Sequence, residues 1–135
     1  MAATGATKLL QVTGATTTAL GTTPDWELPA GASGAIFEVK VSNSSGFTTG
    51  FTVRIQGKDE VTGDYYQINP TPTAIAANGS FYYVIYPAAA TTPGTGSDLT
   101  QISATMFIPP KGRVVCNRVD GTYDLIISMT PIVGV

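Results

Sequence analysis

A single thiol, one carboxylate-rich turn and a group of tyrosines are the side chains of this sequence that could do chemistry. Cys116 is the only cysteine, with Arg113 and Arg118 close by in the chain, and a nearby cation lowers a thiol pKa. A thiolate nucleophile also needs a base, and the sequence contains no histidine. That residue supplies the base of Ser-His and Cys-His pairs and is the usual zinc ligand. Free cysteines are among the most buried side chains, so Cys116 is expected to be a buried, inert thiol, and alone it forms no internal disulfide. Asp59, Glu60 and Asp64 could offer oxygen ligands to Ca²⁺. Their spacing is not that of a calcium loop, and Asp-x-x-x-Gly-Asp is ordinary turn composition. Gly94-Thr-Gly96 lacks the lysine and the following helix of a phosphate-cradling loop. No catalytic residue, cofactor-binding residue or metal ligand emerges, and the chain is expected not to be an enzyme.

The tyrosines point elsewhere. Tyr65, Tyr66, Phe81, Tyr82, Tyr83 and Tyr86 fall in two segments that are expected to form neighbouring strands. Exposed tyrosines can stack on sugars or fill a partner's surface, although aromatic side chains usually bury first. Both faces of Phe81 to Tyr86 are apolar or aromatic, so at least one is expected to meet another element or another chain. Tyr82 and Tyr86 are therefore candidate partner contacts, together with Leu9, Leu10 and Val12 near the N-terminus.

The elements that must position these residues read as strands. Ala35, Phe37, Val39 and Val41 alternate with Glu38, Lys40 and Ser42, and Phe51, Val53 and Ile55 alternate with Thr52, Arg54 and Gln56. Tyr65 to Ile68, Thr100 to Ile108, Arg113 to Val119 and Thr122 to Ile132 read as further strands. Asn78-Gly79 and Asp120-Gly121, each between apolar runs, are expected to be hairpin turns, because both residue types tolerate positive φ. No window sustains a helical period. The expected fold is all-β, an antiparallel two-sheet sandwich of jelly-roll or immunoglobulin type with roughly eight strands. Residues 24–135 form its single domain. Residues 1–23, rich in Thr, Ala and Gly, are expected to be an N-terminal arm or edge strands, and the domain is expected to fold without residues 1–20.

Composition narrows the partners. Charged residues make up only 12 % of the 135 residues, against 43 % hydrophobic, about half the usual charged share of roughly 25 %. Hydroxyl-rich, uncharged surface suits β-structure and is cheaply desolvated against another protein. The net charge is −2 and the seven cations are spread along the chain, so no nucleic-acid partner is expected. No apolar run is long enough for a membrane helix. Met1-Ala-Ala-Thr-Gly-Ala-Thr7 has neither a basic nor an apolar leader region, so synthesis in a reducing cytoplasm is expected.

Five segments in order carry a resemblance. They are Gly34-Ala-Ile-Phe-Glu-Val-Lys-Val, Phe51-Thr-Val-Arg-Ile-Gln-Gly-Lys-Asp-Glu-Val-Thr-Gly-Asp-Tyr-Tyr, Tyr83-Val-Ile-Tyr-Pro87, Ile108-Pro-Pro-Lys-Gly-Arg-Val114 and Gly121-Thr-Tyr-Asp-Leu-Ile-Ile-Ser. Together they resemble small β-rich virion proteins of tailed bacteriophages, in which a T-V-x-I-Q-x-K-D-x-x-S/T-G-x-Y-Y hairpin precedes V-Y-P, L-P-P-x-W-R-V and a closing strand. The resemblance spans residues 34–131; Gly112 stands where that pattern has tryptophan. It implies a structural virion protein, a capsid decoration or cement protein. Such a protein is made in the host cytoplasm and sits on the capsid exterior. There it would bind the major capsid protein lattice as a homo-oligomer, trimer or dimer, and stabilise the shell. The alternative is a tail-associated receptor- or carbohydrate-binding sandwich.

Overall fold

The alternating segments pair as four nested antiparallel couples. A computed structural model describes residues 7–15, 21–46, 48–68, 74–86, 99–104 and 108–133, with side chains outside 12–15, 99–104 and 118. Among these residues there are nine strands: β1 (Thr7–Ala15), β2 (Trp26–Glu27), β3 (Ala32–Ser45), β4 (Phe51–Lys58), β5 (Tyr65–Gln67), β6 (Gly79–Ile85), β7 (Leu99–Ala104), β8 (Lys111–Arg118) and β9 (Thr122–Val133). β4 pairs with β5, β3 with β6, β2 with β8 and β1 with β9, each couple enclosing the one before. Two further pairings, β3 with β9 and β4 with β8, join the couples into sheets. The orders are β1-β9-β3-β6-β7 and β2-β8-β4-β5.

The result is the all-β two-sheet sandwich expected, and the pairing selects between its two types. In an immunoglobulin sandwich the first strand lies beside the second. Here the first lies beside the last, and strands β1-β9-β3-β6 over β2-β8-β4-β5 make an eight-stranded jelly roll. β7 is a ninth strand, added outside β6 and parallel to it. A parallel neighbour needs a long crossover, and residues 87–98, outside the described set, connect the two.

The inner faces follow the alternation. Ala35, Phe37, Val39, Val41, Tyr83, Ile85, Tyr123, Leu125, Ile127 and Met129 from one sheet meet Trp26, Phe51, Val53, Ile55, Val114 and Cys116 from the other. Two ring contacts tie the sheets: Trp26 to Phe37 at 5.5 Å and Phe51 to Tyr123 at 4.8 Å between centroids. Each such large apolar side chain contributes about 1.5–3 kcal/mol when removed from water.

Three strand glycines make room for aromatic neighbours. Trp26 pairs across from Gly112, and a Cβ there would overlap both the Gln56 carbonyl oxygen and the indole. Tyr66 pairs across from Gly57, whose Cβ would lie 2.8 Å from the Tyr66 ring and 2.5 Å from Pro109. Tyr86, just after β6, lies against Gly34, with 3.1 Å from a Cβ to its ring. A glycine in a strand interior marks this kind of close approach. Gly112, which departs from the phage pattern, is covered by the chain's single tryptophan, 1 % exposed.

Both expected hairpin turns are corrected. β8 and β9 belong to different sheets, so Asp120-Gly121 is a corner between sheets. Its Gly121 has φ +86°. The Asp120 carboxylate accepts the backbone N–H groups of Thr48, Thr49 and Gly50, the last at 2.7 Å, while Val119 N–H donates to the Gly50 carbonyl at 2.8 Å. Asn78-Gly79 opens β6, which pairs with β3, while Ile75 forms a single bridge to Phe51. The Asn78 side-chain oxygen accepts Ser44 N–H at 3.0 Å.

Of the two N-terminal readings, arm or edge strands, the described residues hold an edge strand. Thr7–Ala15 is an edge strand of this chain's own five-stranded sheet, and residues 16–20 lie outside the described residues. Deleting residues 1–20 would remove β1 and bare the edge of β9.

Two substitutions test this reading. Gly112→Ala is expected to destabilise the chain by about 1–3 kcal/mol through overpacking, read by urea denaturation on the fluorescence of Trp26; an unchanged midpoint would contradict the close packing. Asp120→Ala leaves three backbone donors without their acceptor and is expected to cost about 1–3 kcal/mol. Asp120→Asn, which keeps one oxygen, should cost less in the same titration.

Candidate interaction surfaces

The two outer faces of the sandwich differ in chemistry. On the five-stranded sheet the register sets Thr130, Ile36 and Val84 in one row, and Ser128, Glu38 and Tyr82 in the next. Ile132 lies beside Gly34, with the Tyr86 ring over that glycine. The rows through Ile36 and Gly34 carry no charge, and their side chains are half-buried. Charge returns with Glu38 and Lys40, and Ile126 is 37 % exposed beside the latter. Tyr82 donates its hydroxyl to Glu38 at 3.0 Å, a bond that raises the phenol pKa by favouring the protonated form.

The other candidate contacts lie at the edge of the same sheet. Leu9 and Leu10 are partly buried and pack on the core, with Leu10 opposite Ile127. Val12 is opposite Leu125 in the backbone register, and its side chain lies outside the described set. An open groove of about 430 Å³ runs past this edge, lined by Thr7, Leu28, Pro29, Met129 and Pro131 among others.

The four-stranded sheet presents a different surface. Arg54, Gln56 and Lys58 on β4 point outward beside Lys111 and Arg113 on β8 and Tyr65 and Gln67 on β5. Arg113 Nε donates to Gln56 Oε1 at 2.7 Å, and its guanidinium carbon lies 3.7 Å from the centre of the Tyr65 ring. Arg54 Nη1 donates to Gln67 Oε1 at 3.0 Å. Asp25 accepts Lys58 Nζ at 2.9 Å and the Tyr65 hydroxyl at 2.7 Å. These bonds, that from Lys58 foremost, hold the Asp25 pKa below its ordinary value, and the same partner raises that of Lys58. Lys111 is 3.4 Å from Glu60. The cations that look scattered in the linear sequence thus gather, four of them on one face.

The expected tyrosine cluster is dispersed, because β5 and β6 lie in different sheets. Tyr83 is fully buried, Phe81 packs against the core, Tyr82 and Tyr86 lie on one outer face, Tyr65 on the other, and Tyr66 covers Gly57. In the acidic turn, Asp59 Oδ1 accepts the N–H groups of Val61 and Thr62, which lower its pKa. Among the described residues no three metal-ligating side chains come together.

Cys116 is 4 % exposed in the core. Burial alone pushes its thiol pKa up to about 12 from an ordinary 9.0. Burial, with the thiol nearby, also raises the Tyr83 phenol. Both groups hold their protons more tightly folded than unfolded. Their stabilisation is therefore complete below pH 9 and is lost as pH climbs through the folded values. Stability is expected to fall from pH 9 towards 12, with a shallower fall in Cys116→Ala. Native protein is expected to leave a thiol reagent unreacted at pH 8 and to consume one equivalent in denaturant. Full labelling of native protein would contradict the buried thiol.

The chain matches no protein-family model, and no curated protein or solved structure shows significant similarity to it.

Proposed function

We propose that this chain is a structural virion protein of a tailed bacteriophage, a decoration protein that binds the outside of the capsid shell and stabilises it through protein–protein contacts. The observation that carries the reading is the outer face of the five-stranded sheet. Its rows through Ile36 and Gly34 hold only apolar, hydroxyl and glycine positions, a surface suited to close packing because little hydration is given up on contact. The ordered resemblance of residues 34–131 to phage virion proteins supports the same reading. Ile36, Val84, Tyr82 and Tyr86 are the contact residues proposed on that face, with Leu9, Leu10 and Val12 at its edge. Many copies bound to an assembled shell stabilise it by mass action, without chemistry.

The tail-associated carbohydrate-binding alternative has less support. In the four-stranded sheet, Tyr65 lies under Arg113 and Tyr66 lies against Gly57, so one side of each of these rings already has an intramolecular partner.

Quantitative mass spectrometry of purified virions tests the reading. A decoration protein is expected on the order of hundreds of copies per particle, and adding it back to shells that lack it should raise their melting temperature. A handful of copies, or no shift in shell melting, would overturn it.

A further inference from the structure

The outer face of the four-stranded sheet holds two guanidinium groups that make no ion pair with a described carboxylate, although the Asp25 charge acts on Arg113 without that contact. The register sets Arg54 opposite Val115 and Gln56 opposite Arg113, so the two arginines are diagonal neighbours on adjacent strands, a spacing of about 7–8 Å between backbones. The face carries four cations, and its ion-pair contacts are made by the other two. Asp25 takes Lys58 and the Tyr65 hydroxyl, and Glu60 takes Lys111. Arg54 and Arg113 are bonded instead to the neutral amide oxygens of Gln67 and Gln56, which hold them in place and leave their charge intact.

The anchoring also leaves donors free. Arg113 spends Nε on Gln56, with its guanidinium carbon 3.7 Å from the Tyr65 ring centre, and among the described residues its terminal nitrogens take no hydrogen-bond partner. Arg54 gives one N–H to Gln67. A guanidinium fixed by a neutral amide and an aromatic plane has lost its rotamer freedom before any ligand arrives. Its planar fork matches a carboxylate in bidentate geometry.

We propose that Arg54 and Arg113 form a docking site for side-chain carboxylates on the surface of a partner protein, with Gln56, Gln67 and Tyr65 positioning the two guanidiniums. Charge complementarity selects that occupant. Two cations without an ion-pair partner on a sheet face do not make the basic stripe that tracks a phosphate backbone. The proposal names a second surface, opposite the face assigned to packing. It adds a charged contact to the shell-binding reading without depending on it.

The test is a titration of the full chain followed on the arginine side-chain Nε–Hε resonances. The probes are a hexaglutamate peptide, an oligothymidylate of equal charge and inorganic phosphate. Hexaglutamate is expected to shift the Arg54 and Arg113 signals saturably, more strongly at low salt, and to bind more tightly than either phosphate probe. The double variant Arg54→Gln, Arg113→Gln, its fold checked on the backbone amide spectrum, is expected to bind roughly tenfold more weakly or worse. Replacing both by lysine should restore only part of the affinity, because the fork is lost while the charge remains. Equal affinity in the glutamine variant, tighter binding of either phosphate probe, or shifts confined to other residues would overturn the proposal. Failure of shell binding would sink the decoration reading and leave this site standing.

Discussion

The structure turns on the contact between one indole and one absent side chain. β2 is only two residues long, too short for its ladder alone to hold an edge. What fixes it is Trp26, lying across Gly112 on the core side and meeting Phe37 of the opposite sheet. That one ring spans edge strand, neighbouring strand and facing sheet, and it requires that position 112 carry no Cβ. The segment leading into it follows β8 by irregular bonds. Thr23 N–H donates to the Val114 carbonyl at 2.9 Å, its hydroxyl accepts Val114 N–H at 3.0 Å, and Cys116 N–H donates to Gly21. Buried Thr23 thus satisfies backbone groups beside the core, as such groups require.

Interlocking of this kind leaves the outer faces free to differ. One sheet turns outward rows of Ile, Val, Thr and Tyr, half-covered and with charge at only one end. The other turns out cations, amides and a tyrosine whose bonds are made among themselves. A chain with few charges has collected five of its seven cations on two adjacent strands, four of them on one face. The sandwich therefore has one outer face that is largely uncharged and another that carries most of the chain's cations.

The strands themselves were legible in the sequence wherever one face is buried and the other wet. β3, β4 and β9 alternate as their residues predict, since the pleat forces period two. What alternation does not encode is which strand lies beside which. Gly121 has the positive φ that Asp-Gly suggests, yet that bend crosses between sheets, with Asp120 holding the 48–50 loop instead of closing a hairpin. Asn78 lends its amide oxygen to Ser44, a role that depends on a residue 34 positions away. The Arg54–Arg113 face was illegible for the same reason. Its parity on each strand could be read, but its assembly rests on a pairing across more than fifty residues of chain. Gly112, where the phage pattern has tryptophan, is covered by Trp26 from the neighbouring strand, a contact that only the β2–β8 pairing creates.

The nested pairing has a consequence for the entropy of the chain. The innermost couple brings Lys58 to Tyr65, the next Val41 to Gly79, then Trp26 to Gly112, and the outermost Thr7 to Met129. Closing the outermost pair in an open chain encloses a loop about four doublings longer than the innermost, an added cost of roughly 2–3 kcal/mol. Once the inner couples are in place, each outer pairing closes only the short segments not yet fixed. The winding of a jelly roll thus breaks one long, improbable closure into a series of short ones, each resting on the couple inside it.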